Sequence, residues 1–326
     1  MGSGSSSPKR TVINEQLGLI VDTNDEWIRT RTGIEARKII SKDETLSGLS
    51  INAGMSAIEM AGWEPESIDL ILLATSTPDD LFGSAPEIQS QLGARNAVAF
   101  DLTAACSGFL FALITASQFL KNGSMKRALV IGADQLSSWV DWKDRRTCVL
   151  FGDGAGAIAL ESTNLENNGL IDYQMRSDGA RGESLNLKKT CTHLPLVNEN
   201  TFQVGKYSPI QMNGKEVYKF AVREVPSILN SLLKANDLEP SALDWLLLHQ
   251  ANQRILEAVA DRFSIPSNKV LSNLGNYGNT SAATIPLMLD EAVRDQRVQS
   301  GDLIATSGFG AGLSWGAALI RWQGPT

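Results

Sequence analysis

Residues 98–133 read VAFDLTAACSGFLFALITASQFLKNGSMKRALVIGA, and residues 270–305 read VLSNLGNYGNTSAATIPLMLDEAVRDQRVQSGDLIA. Each stretch opens on a short strand-like run and passes through small, turn-forming residues. Each then enters a long apolar helix pattern and closes on a second strand-like run. A gapless offset of 172 lays one on the other and sets Cys106 opposite Gly278 and Ser107 opposite Asn279. Self-similarity at about half the chain length predicts a duplicated βα unit; two buried βα units alike by chance are the other reading. The neighbouring segments extend the match. IDLILLAT (68–75) is the continuous apolar run of a strand buried on both faces, and LDWLLL (243–248) resembles it. The helix 107–121 stops at Asn122-Gly123. These alternating segments place the chain in the α/β class, with halves at 1–165 and 166–326 and no linker or low-complexity run between them. TCVLF (147–151) and AIALE (157–161) flank Gly152–Gly156, which reads as a tight turn, and residues 163–208 read as polar loops or a cap.

The bulk properties narrow the function. The 326 residues are 43% apolar and 20% charged, an ordinary globular balance, and the net charge is −7. Such an acidic chain is a poor general binder of nucleic acid or of an anionic membrane. Its three cysteines, Cys106, Cys148 and Cys191, are odd in number and far apart. They predict a reducing, cytoplasmic compartment rather than a disulfide framework. With two histidines and no C-x-x-C spacing, no zinc site is expected. Met1–Arg10 is Gly/Ser-rich without an apolar signal region, and Ser107–Leu120 is too short to span a bilayer.

Three polar residues carry candidate chemistry. Cys106 follows a strand-like run and opens the apolar helix. There, unpaired N–H groups and the helix dipole are expected to favour the reactive thiolate; by type alone it reads equally as an inert buried thiol. His249 ends the apolar strand 244–248, where α/β sheets collect catalytic groups. Its imidazole suits oxyanion donation or proton transfer, or is a satisfied structural histidine. Asn279 lies in a Gly-Asn-Thr-Ser run and is either a donor to the same oxyanion or a turn asparagine. His193, in a polar segment, reads as surface. Gly152–Gly156 and Gly308–Gly312 both lead into strand-like runs rather than helices. They therefore lack the context of a dinucleotide fingerprint and read as turns where backbone makes a close approach.

In combination, these motifs resemble β-ketoacyl-acyl carrier protein synthase III. The strings are Asp25–Ile28 with Arg31–Ile34, Asp101–Phe109, Phe151–Gly156, His249–Asn252, Gly278–Ala282 and Gly308–Gly316, in order over nearly the whole chain. The resemblance implies a thiolase-like fold, with central mixed sheets in a layered α/β/α/β/α arrangement. It implies a decarboxylating condensation of an acyl-coenzyme A primer, such as acetyl-coenzyme A, with malonyl-acyl carrier protein. Cys106 would be the nucleophile, with His249 and Asn279 binding the malonyl thioester carbonyl. The backbone amides of Cys106 and Ala311 would form the oxyanion hole. Thr23, Trp27, Arg31, Arg145 and Gly214 match coenzyme A contacts; Phe82, Leu185 and Phe309 match the acyl pocket, with Phe82 closing the pocket of the partner in a homodimer. Lys215, Lys219 and Arg223, at i, i+4 and i+8 on a helix expected over 214–224, resemble with Arg254 the patch that docks the acidic carrier protein. Neither a metal nor a redox cofactor is implied. Members usually carry a strand before the position of Gly2–Ser5, so the first strand is expected to be shortened or the start misassigned, exposing a sheet edge.

Related chemistries compete. A thiolase needs a second cysteine in the C-terminal Gly-rich loop, and nothing after Cys191 supplies one. Elongating ketosynthases use two histidines where this chain has one and Asn279. Polyketide-type condensing enzymes and acyltransferases with a different primer or acceptor share the Cys-His-Asn set, and the Trp27–Ile34 segment favours the initiating enzyme. Papain-like hydrolases place their cysteine early and outside such a duplicated pattern. A silent carrier-binding protein would not need every catalytic position filled.

Overall fold

In the computed structural model, which describes residues 1–163 and 168–324, the duplicated pattern folds into two mixed five-stranded sheets. The first runs in the order Gly2–Ser6, Asp153–Glu161, Arg127–Gln135, Leu70–Ala74, Val98–Leu102. The second runs Gly169–Ser177, Ser314–Arg321, Leu303–Gly310, Trp245–Leu248, Val270–Leu271. In each, the fourth strand pairs parallel with both neighbours, and the first two pairings are antiparallel.

Alternation along the strands sorts side chains into layers. Leu70 and Leu72 face inward, with Leu247 and Ile304 of the second sheet, onto a layer holding Phe109, Leu113, Ile285 and Met288. That layer is built from the helices Gly108–Lys121 and Thr284–Arg294. Ile71 and Leu73 face outward onto the helix Leu46–Ala61. On the far side, Leu246 and Leu248 pack with Phe220, Leu229 and Val259 from Gly214–Ala235 and Gln253–Arg262. Helix, sheet, helices, sheet and helix follow one another, as a thiolase-like fold requires. Among the described residues no helix is long and apolar enough to cross a membrane.

The internal repeat is real but its register differs from the expected one. The central helices start at Gly108 and Thr284 and the following strands at Arg127 and Leu303, an offset of 176. The helical turn Leu274–Tyr277 adds the four residues that the gapless comparison missed. Cys106 is therefore opposite Ala282, not Gly278. Each residue before these two has positive φ, 48° at Ala105 and 53° at Ser281. The expected division between residues 165 and 166 lies outside the described residues.

Four local expectations are corrected. The Gly/Ser run is itself the edge strand Gly2–Ser6, paired with Asp153–Glu161. Its glycines are dictated by a helix backbone lying against it: a Cβ on Gly4 would sit 2.1 Å from the Ala53 carbonyl oxygen. Gly4→Ala should therefore destabilise the protein by about 1–3 kcal/mol. Denaturant unfolding checks this, and an unchanged midpoint would contradict it. Gly152–Gly156 is not a turn, since the strand Asp153–Glu161 runs through it; a Cβ on Gly152 would meet the Tyr277 carbonyl oxygen at 2.2 Å. Residues 163–208 are not loops alone: they hold the edge strand Gly169–Ser177 and the hairpin Lys189–Pro195/Thr201–Tyr207. The hairpin is exposed on both faces, so it carries no apolar alternation to read. The helix expected over 214–224 continues to Ala235.

Candidate active site

Cys106, His249 and Asn279 line one apolar cavity of about 110 Å³, with Leu185, Phe220, Phe309 and Gly310. Three backbone features bring them together. Cys106 sits in a 3-10 turn, Ala105–Ser107, between the strand Val98–Leu102 and the helix Gly108–Lys121. The left-handed Ala105 sharpens that elbow. His249 caps the strand Trp245–Leu248, its amide donating to the Ser307 carbonyl at 2.9 Å. The loop carrying Asn279 is clamped to Leu150–Gly152. There the Asn279 amide donates to Leu150 (2.9 Å) and the Gly152 amide to Asn279 (3.0 Å). Gly310 closes over Cys106, since a Cβ there would lie 2.6 Å from the Cys106 nitrogen. The turn bearing Ala311 follows directly; Ala311 itself does not line the cavity.

Secondary contacts set the chemistry of each group. The Ser281 amide donates to Asn279 Oδ1 at 2.8 Å, so the carboxamide NH₂ is the end left for a ligand. The Ser281 hydroxyl donates to Cys106 Sγ at 3.3 Å. His249 Nδ1 lies 2.7 Å from Thr284 Oγ1, and the ring meets Phe309 edge-on with centroids 5.2 Å apart. Buried Gln250 ties the following loop down, donating to Leu248 and Leu271. The Asp134 carboxylate accepts from the Ser76 amide (2.8 Å), the Thr77 hydroxyl (3.0 Å) and the Ala282 amide (3.1 Å). It thus engages the amide that matches Cys106 in the other half.

Burial dominates the electrostatics. Desolvation holds the His249 pKa down at about 3, so the ring is neutral. It pushes the Cys106 thiol up to about 12; the Ser281 hydroxyl opposes this and the nearby Asp134 adds to it. The expectation of a standing thiolate is thereby corrected. A helix terminus offers about 0.3–2 kcal/mol, whereas the rise from 9.0 to about 12 corresponds to roughly 4 kcal/mol against the charged form. The resting sulfur is held as a thiol. Alkylation of Cys106, followed by peptide mapping because Cys191 is exposed, should accelerate with pH to beyond 9. A rate already at its plateau at neutral pH would contradict this.

Leu150, Met212, Gly214, Tyr218 and Asn252 line both this cavity and a neighbouring outer cleft of about 600 Å³. Trp27, Arg31, Arg145, Lys215 and Arg254 line that cleft. Both guanidinium carbons, of Arg31 and of Arg145, stand 5.1 Å from the centre of the Trp27 ring. Thr23 does not line the cleft; its hydroxyl is buried without a partner. The basic stripe is divided. Lys219 and Arg223 line a separate depression and pair with Glu216 and Glu224. Phe82 is fully exposed and does not line this chain's cavity. Exposed His193 contacts Gln203 and lines neither the cavity nor the cleft. Ser281, Thr284, Asp134 and Gln250 were not singled out from the sequence; the Asn-Thr-Ser run around Ser281 was the one visible signal.

Family models for "3-Oxoacyl-[acyl-carrier-protein (ACP)] synthase III" match residues 100–179, and for its C-terminal part residues 233–322. A beta-ketoacyl-[acyl-carrier-protein] synthase III of Prochlorococcus marinus (strain MIT 9313) is 70% identical over 325 residues, covering 100% of this chain and 96% of the relative. One from Synechococcus sp. (strain WH7803) is 67% identical over 326 residues, with 100% and 96% covered. The crystal structure of 3-oxoacyl-[acyl-carrier-protein] synthase III from Aquifex aeolicus superimposes with a TM-score of 0.90 at 42% identity, covering 98% of both chains.

Proposed function

Because this chain belongs to the 3-oxoacyl-[acyl-carrier-protein] synthase III family, the condensing acyltransferases of fatty-acid biosynthesis, we propose that Cys106 carries the acyl primer and that His249 and Asn279 drive its condensation with a malonyl thioester. The single observation behind this assignment is that the three side chains share one cavity, five of whose lining residues also line the Trp27 cleft.

In the first half-reaction, neutral His249 takes the thiol proton as sulfur attacks the thioester carbonyl of acyl-coenzyme A. The Cys106 and Ala311 amides hold the oxyanion, and the departing coenzyme A sulfur takes the proton. In the second, malonyl-acyl carrier protein enters and loses carbon dioxide. His249 and Asn279 donate to the enolate oxygen while its carbon attacks the acyl-cysteine. The 3-oxoacyl-carrier protein leaves, and the thiolate regains a proton from water. Atoms and charge balance without a metal or redox group.

Trp27, Arg31 and Arg145 offer an aromatic and cationic platform for the adenine and phosphates of coenzyme A, with Gly214 at the channel and Thr23 nearby in sequence. Lys215 and Arg254 at the mouth suit an acidic carrier protein, with Lys219 and Arg223 extending the patch. Phe82 and Leu81, exposed on one loop, support a homodimer in which Phe82 of each subunit closes the other's pocket against Leu185 and Phe309. The working units are the halves 1–165 and 166–326, and the location is cytoplasmic. Trp27→Ala should raise KM for acetyl-coenzyme A about five- to thirtyfold, since a stacked cation–π contact is worth about 1–2 kcal/mol; kcat should change little. Mixing the protein with acetyl-coenzyme A and malonyl-carrier protein should yield 3-oxobutyryl-carrier protein by mass spectrometry. Absence of that product with every primer tried would sink the assignment.

A further inference from the structure

We propose that the Thr284 hydroxyl sets the tautomer of His249, and so decides whether Nε2 meets a substrate as a lone pair or as an N–H. The functional meaning of the two settings rests on the two-step reaction above; the tautomer itself does not.

A neutral imidazole holds one ring proton. Thr284 Oγ1 lies 2.7 Å from His249 Nδ1 and 3.0 Å from the Ser281 carbonyl oxygen. A carbonyl only accepts. When the hydroxyl donates to Ser281, it must accept from Nδ1–H, and Nε2 is bare. When it turns to donate to Nδ1, the ring proton must be on Nε2. The turn orphans nothing, because the Thr284 backbone amide also donates to the Ser281 carbonyl. Both settings keep Nδ1, the Thr284 hydroxyl and the Ser281 carbonyl paired; the first is the resting one, because a proton on Nε2 has no acceptor among the described residues and waits on water or substrate in the cavity.

The two half-reactions need opposite settings. Taking the Cys106 thiol proton requires a bare Nε2. Stabilising the enolate requires an N–H there. The ring proton changes nitrogen by exchange with water admitted after coenzyme A leaves, one proton departing as another arrives. Ser281 connects this switch to the other two groups, through its amide to Asn279 Oδ1 and its hydroxyl to Cys106 Sγ. Its positive φ of 53° is held by the fold rather than preferred by the residue. Thr284 touches no reacting atom and is a positioning residue.

The chain's two histidines make the test direct. In protein carrying ¹⁵N-labelled histidine, nitrogen NMR of the resting enzyme should show His249 protonated at Nδ1 and bare at Nε2, with no substitution needed. Thr284→Val keeps the shape and removes the hydroxyl. An unpaired buried N–H is the worse orphan, so the proton should move to Nε2. Single-turnover acylation from acetyl-coenzyme A should then fall at least about tenfold, while malonyl-carrier protein decarboxylation changes by less than about threefold. Thr284→Ser should restore both the spectrum and the acylation rate. Resting wild-type protein protonated at Nε2 would overturn the inference. So would Thr284→Val protein with an unmoved tautomer, or one that loses both rates equally. Failure of the underlying reading is recognised separately, by acyl label appearing on protein that lacks Cys106.

Discussion

The Cys106→Ala protein is expected to take no label from acetyl-coenzyme A, while folding as the wild type does. The side chain is small and already buried at the elbow between Ala105 and the helix Gly108–Lys121, so losing its sulfur leaves a minor void. The Ser281 hydroxyl loses a weak sulfur acceptor and is free to turn its proton to the neighbouring Asp134 carboxylate. Chemistry is affected far more. The remaining cysteines do not substitute: Cys148 is buried beside Arg37 with its thiol pushed up to about 11, and Cys191 is exposed on the hairpin strand Lys189–Pro195. Intact-protein mass after incubation with acetyl-coenzyme A reads the result. Wild type gains one acetyl group and the variant none. An acetyl adduct on the variant would show that another residue is the nucleophile.

The second large effect separates the two half-reactions. Asn279→Ala removes a carboxamide whose oxygen is already committed to the Ser281 amide, so what the cavity loses is an NH₂ donor. Loss of one oxyanion donor costs on the order of 10²–10³ in rate, here in release of carbon dioxide from malonyl-carrier protein. Acylation of Cys106 should persist, because that step relies on backbone amides and on His249. His249→Ala should impair both steps if the ring is, as proposed, base in the first and donor in the second. Its buried, neutral state predicts that decarboxylation does not fall as pH drops through 6.5, the usual histidine value, because protonation is deferred to about 3. Radiometric carbon dioxide release across pH checks both points. A parallel loss of acylation in Asn279→Ala would place Asn279 in the wrong step.

The sequence displayed the parts of the fold that rest on continuous apolar runs and missed those that rest on backbone proximity. Leu70–Ala74 and the helix Gly108–Lys121 are buried throughout or along a broad stripe, so periodicity finds them. Gly2–Ser6 and Gly152–Gly156 carry glycine because another backbone presses on them, at Ala53 and at Tyr277 respectively. In the sequence that looks like a shortened strand or a turn. The shifted repeat has a similar cause, as the turn Leu274–Tyr277 inserts four residues without altering the apolar pattern around it. In the candidate site, family motifs singled out Cys106, His249 and Asn279, which the structure brings to one cavity, and Trp27 with Arg31 and Arg145, which it brings to one cleft. Thiol ionisation was not, because a helix terminus is visible in sequence while desolvation is a property of the assembled cavity. Ser281 and Thr284 act through a backbone amide, a carbonyl and a hydroxyl, which no residue pattern announces.

The fate of an isolated acyl-enzyme tests the account most directly. Protein acetylated with ¹⁴C-acetyl-coenzyme A, freed of excess and digested, should carry its label on the peptide containing Cys106. Undigested acyl-enzyme mixed with malonyl-carrier protein should pass that label into 3-oxobutyryl-carrier protein as carbon dioxide appears in equal amount. Label on any other peptide, or label that stays on Cys106 while carbon dioxide is released, would contradict a cavity in which thiol, imidazole and carboxamide act on one pair of substrates.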